Sequence, residues 1–170
     1  METNQRIVYK DVMSPVGLIR LIASGKGLMA VLWDGENYTG TKLPEAVPDH
    51  EDRVLVQAGQ QLKEYFAKER KAFNIPLDLK GTEFQLRVWN ALSDIPYGTT
   101  KTYGALARQL GDIKAVRAVG GALNKNPVAI IVPCHRVVGA SGKLVGFAGG
   151  LENKSILLDI ENGHKMPTLF

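Results

Sequence analysis

Cys134 is the single cysteine of a 170-residue chain, and it sits in the run Pro133-Cys134-His135-Arg136. The thiolate, not the thiol, is the nucleophile, and a neighbouring base or cation favours it. Pro133 fixes the backbone just before the sulfur. Most lone cysteines are inert, buried small hydrophobes. On a strand, Cys134 and His135 would point to opposite faces; on a turn they could converge, directly or through a water. Taken alone, the pair fits nucleophilic catalysis in general, including proteases and other acyl-transfer enzymes. With one Cys and three scattered His (His50, His135, His164), a tetrahedral structural zinc site is not expected.

Several elements must position this thiol. Val128–Val132 is a short apolar run, read as a buried strand that delivers the chain to Pro133. Gly139–Gly150 is a glycine-rich loop, and Lys154–Ile160 is read as a final helix followed by Glu161-Asn162-Gly163. Upstream, Thr82-Glu83-Phe84-Gln85 is a capping box opening a helix with Phe84, Val88, Trp89 and Leu92 on its buried side. Ile95-Pro96-Tyr97-Gly98 stops it. Two short helices follow, at about Thr102–Leu110 and Lys114–Leu123, joined by Gly111-Asp112-Ile113. That pattern is a helix-turn-helix signature. The second helix carries Lys114 and Arg117, with Lys125 just beyond, and small residues (Ala115, Ala118, Gly120, Gly121, Ala122) that allow close approach.

The first half shows no such equipment. Ile7–Met13, Leu18–Ala23 and Leu28–Trp33, separated by Ser14-Pro15-Val16-Gly17 and Gly25-Lys26-Gly27, read as an antiparallel meander. Gly35–Pro48 reads as a loop, Asp52–Lys68 as an amphipathic helix, and Ile75–Leu79 as a candidate further strand. The expected organisation is α+β: an amino-terminal supporting domain over residues 1–79 and a mainly helical carboxy-terminal domain over 80–170.

Composition bounds the function. Hydrophobic residues make up 45% and charged residues 22%, which excludes a mainly disordered chain. No apolar run approaches the roughly 18 residues of a membrane span, and residues 1–6 have no apolar segment of a secretory signal. A lone thiol fits a reducing compartment, so a cytoplasmic protein is expected. Residues 1–79 carry 10 basic and 11 acidic side chains, whereas residues 80–170 carry 11 basic and 6 acidic. A polyanion should therefore meet the second half.

Ile131-Val132-Pro133-Cys134-His135-Arg136-Val137-Val138 resembles the active-site signature of the O6-alkylguanine-DNA alkyltransferases, the methylated-DNA–protein-cysteine methyltransferases. Ile95-Pro96-Tyr97-Gly98, Tyr103-Gly104, Arg117-Ala118-Val119-Gly120-Gly121-Ala122, Asn124–Val128 and Gly149-Gly150 before a helix ending in Glu161 are similar too. The resemblance covers about residues 80–165, with weaker similarity before it. It implies a ribonuclease H-like first domain and a winged-helix-like second one. The implied reaction is direct, irreversible, stoichiometric repair of double-stranded DNA: the Cys134 thiolate takes the alkyl group from O6-alkylguanine, or O4-alkylthymine, after the nucleotide is flipped. No metal, organic cofactor or obligate protein partner is implied.

The resemblance also assigns roles. His135 acts through a water as the base for Cys134, and Glu161 orients His135. Asn126 holds the turn carrying Cys134. Tyr103 donates a proton to guanine N3 and crowds the 3′ phosphate. The carbonyls of Cys134 and Val137 accept from the guanine amine, and the amide near Ala148 donates to O6. Pro133, Val137, Phe147, Ala148 and Trp89 belong to the substrate pocket. Arg117 fills the space that the flipped nucleotide leaves, and Ala115, Ala118, Gly120, Lys114, Lys125, Arg136 and Tyr103 meet DNA from the minor groove. Phe147 stands where relatives often have Tyr, and Ala148 where some have Ser, which bears on the alkyl groups accepted.

Two other readings compete. A Cys-His hydrolase would turn over repeatedly, but no oxyanion donor can be named for it. A DNA-binding or damage-sensing helix-turn-helix module, as in the alkyltransferase-like proteins, would lack the reactive cysteine, and Cys134 is present.

Overall fold

The computed structural model of the chain describes residues 6–33, 45–147 and 149–162. The chain divides into two compact units, Met1–Lys80 and Gly81–Phe170.

In the first unit, β1 (Ile7–Ser14), β2 (Gly17–Ala23) and β3 (Leu28–Trp33) form the expected antiparallel meander. The sheet is mixed rather than antiparallel throughout. Ala46–Pro48, inside the segment read as a loop, is a short strand, β4, paired parallel to β1 in the order β3-β2-β1-β4. Pro48 signalled a loop because proline cannot donate to a sheet ladder, and an edge strand tolerates that. The rest of that segment, up to Pro44, lies outside the described residues. Ile75–Leu79 does not become a strand: it crosses the start of β3 with only an isolated parallel bridge, Leu28 to Leu77.

The helix α1 (Arg53–Phe66) starts at Asp52, whose carboxylate accepts the Leu55 amide at 3.1 Å. Its buried stripe of Leu55, Ala58, Leu62 and Tyr65 follows the 3.6-residue period and packs on the meander. Full burial of each Leu stabilises the fold by about 1.5–3 kcal/mol. Buried Gln61 exchanges two hydrogen bonds with the Asn74 backbone, at 2.9 and 3.1 Å, and so ties down the chain that returns from α1.

The second unit opens with α2 (Glu83–Leu92) on the expected capping box: the Thr82 amide donates to Gln85 Oε1 at 2.9 Å and the Gln85 amide to Thr82 Oγ1 at 3.1 Å. The strand β5 (Lys101–Thr102) leads into α3 (Tyr103–Gln109). A 3-10 turn at Ile113–Ala115 then leads into α4 (Val116–Asn124), which packs on α2 and α3. The strand β6 (Val137–Val138) pairs parallel to β5, and α5 (Leu151–Asn162) ends the described chain.

Val128–Val132 is buried except at Ile131, which is partly exposed, but it is not a strand. It closes on itself, with the Val132 amide donating to the Val128 carbonyl at 2.9 Å and Ile130 at φ 77. A β-branched residue in the left-handed region is a strained outlier, held only where its surroundings over-determine it.

Candidate active site

The Cys134–Arg136 segment is a single 3-10 turn, so Cys134 and His135 are not forced to opposite faces as strand neighbours would be. Asn126 builds the approach to it. Its side-chain amide donates to the Val132 carbonyl at 2.9 Å, and its oxygen accepts the Val128 amide at 3.0 Å. One buried side chain thus clamps both ends of the strained loop around Ile130. Pro133 follows, and the Cys134 amide donates to the Val132 carbonyl at 2.8 Å. Cys134 itself is 7% exposed.

Behind the thiol lies a buried ionic network. His135 is fully buried, and its Nε2 lies 2.6 Å from Glu161 Oε2. The carboxylate accepts a hydrogen bond there, so Nε2 carries the hydrogen and Nδ1 keeps its lone pair. Nδ1 is buried and takes no hydrogen bond from the described protein. Burial lowers the His135 pKa, Arg136 and Lys154 push the same way, and Glu161 opposes them. The imidazole is therefore held neutral, the form a base must have.

Arg136 was expected at the DNA surface, and the structure corrects this. It is a buried residue whose Nε and Nη2 donate to Glu161 at 2.8 and 3.1 Å and whose Nη1 donates to the Ile95 carbonyl at 2.7 Å. Its guanidinium supports the Glu161 carboxylate and does not face a phosphate. The Ile95–Gly98 stop belongs to the same network. The Gly98 amide donates to Glu161 Oε1 at 3.4 Å from a backbone with φ 79, a conformation that glycine adopts without strain.

Tyr103 is half-buried at the start of α3, and its hydroxyl donates to the Val145 carbonyl at 3.1 Å. Burial and the nearby Cys134 charge both raise its pKa, so it remains a protonated donor. A Cβ on Gly146, which has φ 51, would lie 3.5 Å from the same hydroxyl. Val137 is fully buried, and its carbonyl, expected to meet the guanine amine, accepts from Lys154 Nζ at 2.6 Å. Phe147 is half-buried in the same loop, and Ala148 lies outside the described residues. Trp89 is a buried residue of α2, its indole N–H donating to the Ala122 carbonyl at 2.8 Å and joining α2 to α4.

The outer face of α4 carries Arg117, Ala118, Gly121 and Asn124, all exposed, with Ala115 and Gly120 partly so. Lys114 and Lys125 are exposed at its two ends. A Cβ added at Gly120 or Gly121 would meet nothing within 4 Å. This face is smooth and basic.

The residue that sequence reasoning missed is Lys154. The signal was present: Leu151, Lys154, Leu158 and Glu161 share one helical stripe, so two charged residues occupy a face that packs inward.

Comparison with known proteins gives the same answer over both units. Residues 83–163 match the family model of the 6-O-methylguanine DNA methyltransferase DNA binding domain, and residues 7–79 match its ribonuclease-like domain. A methylated-DNA–protein-cysteine methyltransferase of Methanosarcina acetivorans is 50% identical, covering 90% of this chain and 97% of its own. One from Mycolicibacterium paratuberculosis is 45% identical, covering 96% and 97%. The crystal structure of Mycobacterium tuberculosis OGT in complex with DNA matches with a TM-score of 0.84 at 44% identity, over 92% of this chain and 94% of that one. With two domain models matched in order and relatives this similar over nearly their whole length, the chain belongs to the 6-O-methylguanine DNA methyltransferase family.

Proposed function

We propose that this protein repairs DNA directly by moving the methyl group of O6-methylguanine onto Cys134. The observation that carries this reading is the buried His135–Glu161 pair at 2.6 Å, next in the chain to its single cysteine. His135 Nδ1 takes the thiol proton, directly or through a water, and Glu161 stabilises the imidazolium that forms. The Cys134 thiolate attacks the methyl carbon. The S–C bond forms, the O6–C bond breaks, and the electron pair stays on guanine, which Tyr103 protonates at N3. A thioether is a very poor leaving group, so each molecule reacts once.

The target atom is inaccessible inside a duplex, so the nucleotide rotates out of the stack at a cost of a few kcal/mol. Arg117, exposed on the smooth face of α4, fills the space left behind. Lys114 and Lys125 meet phosphates. The Val145–Phe147 segment, with Pro133 and Val137, forms the wall around the base. A thiol that must stay reduced fits a cytoplasmic location.

Intact mass spectrometry after incubation with a duplex containing O6-methylguanine tests the reading. The expected result is a gain of about 14 Da on Cys134, one per molecule, with Cys134→Ser unlabelled. Repeated turnover, or label on another residue, overturns it.

A further inference from the structure

A groove of about 450 Å³ opens in the first unit and is lined by none of the residues assigned to the reaction. One wall is α1, through Val56, Gly59, Lys63 and Phe66; the other is β1, through Lys10 and Val12. The sheet explains the opening. β4 pairs with β1 only from Ile7 to Tyr9 and ends at Pro48. Among the described residues, no strand continues beside Lys10–Ser14 on that side. No residue of β2 or β3 lines the groove, so it runs along this uncovered edge, beside α1. The Tyr9 carbonyl accepts the Asp49 amide there at 3.0 Å. Backbone groups alternate in direction along a strand, so the N–H and C=O of Asp11 and Met13 point the same way, toward the open edge. Both residues are exposed.

Three features give the groove its chemistry. Gly59 lies inside α1, where glycine costs about 1 kcal/mol relative to alanine. Packing does not require it: a Cβ there would lie 3.8 Å from Val12 Cγ1, an ordinary contact. The missing side chain keeps the floor of the groove open. Apolar groups also reach solvent beside the edge, with Val56 44% and Met13 77% exposed. An edge merely guarded against pairing carries charge rather than an apolar flank. Lys10 and Lys63 stand one on each wall, and no carboxylate lines the groove. Among the described residues neither lysine has an ion pair, because the adjacent carboxylates of Asp11 and Glu64 are each held by an arginine, Arg20 and Arg70, at 2.7 Å.

We propose that this groove binds an extended acidic segment of a partner protein, which adds to β1 as a further strand beside α1. The segment's backbone bonds to the outward groups of Asp11 and Met13. Side chains alternate across a strand, so every second one faces the groove. A central apolar side chain there packs over Gly59 against Val56 and Phe66, and carboxylates two residues away pair with Lys10 and Lys63. The uncovered stretch Lys10–Ser14 is about 17 Å long, room for about five residues of the segment. Main-chain bonds supply affinity, and the apolar and acidic positions supply choice. A nucleic acid would suit the two lysines but not the apolar flank or the open strand edge. The site is independent of alkyl transfer to Cys134.

Amide NMR of the full native chain tests this, by titration with an acetylated and amidated probe peptide of aspartate, threonine, leucine, threonine and aspartate in that order. The expected result is saturable shifts at Asp11, Met13 and Gly59, with slowed hydrogen exchange at the Asp11 and Met13 amides. The same peptide N-methylated throughout cannot pair as a strand and should not bind. Reversing both charges, Lys10→Glu with Lys63→Glu, should weaken the probe by about tenfold or more, and a probe with lysine in place of aspartate should regain binding to that variant. Gly59→Leu fills the groove and should abolish binding. Methyl transfer to Cys134 should stay native in these variants, which separates this inference from the reaction. The proposal is overturned by no saturable shift, by shifts that leave Asp11 and Met13 unprotected, or by equal binding of the N-methylated peptide. It is equally overturned if duplex DNA, or a second copy of this chain at high concentration, is what protects those two amides.

Discussion

Arg136 and Glu161 meet inside the second unit as a two-pronged ion pair, with N–O distances of 2.8 and 3.1 Å, and the same carboxylate holds His135 at 2.6 Å. One acid thus fixes two neighbours in the chain, one basic for structure and one basic for chemistry. The arrangement explains why Arg136 follows His135 directly: the turn that aims the imidazole also brings the guanidinium that supports its partner.

Removing Arg136 should therefore unfold before it disables. Arg136→Ala leaves Glu161 buried without its cation, and breaking such a pair costs about 3–5 kcal/mol. Chemical denaturation of the variant should show that loss. A midpoint equal to that of the native protein would mean the pair contributes nothing to stability.

Glu161→Gln tests the other arm. The amide still bonds to its neighbours, but it cannot stabilise the imidazolium. Single-turnover methyl transfer from duplex DNA should slow by about a hundredfold or more. Binding to unmodified duplex, read by fluorescence anisotropy, should stay close to native.

The pH dependence has a definite sign. Burial holds the His135 pKa below its ordinary value of 6.5. As pH falls through 6.5, an unfolded chain takes up a proton at this residue and the folded one does not, so stability declines on the acid side and is complete above it. The acid limb of the transfer rate should likewise lie below pH 6.5. A rate already halved at neutral pH would contradict a neutral buried imidazole.

Asn126→Ala removes the donor to the Val132 carbonyl and the acceptor for the Val128 amide, both buried. Each orphaned group costs about 1–3 kcal/mol. The strained loop around Ile130 loses its clamp, so the thiol should be misplaced as well. Loss of transfer should exceed what the lowered folded fraction accounts for, when both are measured on one preparation.

Arg117→Ala should separate the two stages of repair. Flipping is needed only in a duplex, so transfer from duplex should weaken while transfer from the free O6-methylguanine base stays near native. Equal losses on both substrates would assign Arg117 to the chemistry instead.

The sequence was most legible where a local rule decides structure. Thr82 and Gln85 cap α2, Asp52 caps α1, and the meander follows its turns, because each depends on residues within a few positions. It was least legible where distant partners override local preference. The Val128–Val132 run has strand composition, but the Asn126 side chain bends it into a closed loop. Ala46–Pro48 pairs with β1 across a long intervening segment. Cys134, His135 and Glu161 could be picked out by motif, whereas the inward turn of Arg136 depends on Glu161 lying 25 residues downstream. Lys154 looked like an ordinary helix lysine because its partners are backbone carbonyls, which have no residue type to read.

The unadorned outer surface of α4, where Gly120 and Gly121 leave open space, bears on how lesions are found. Apart from Arg117 it offers few long side chains to read base edges, so the proposed docking of this helix favours no stretch of duplex over another. On the function proposed above, discrimination is then left to the Cys134 turn, once a damaged base reaches it.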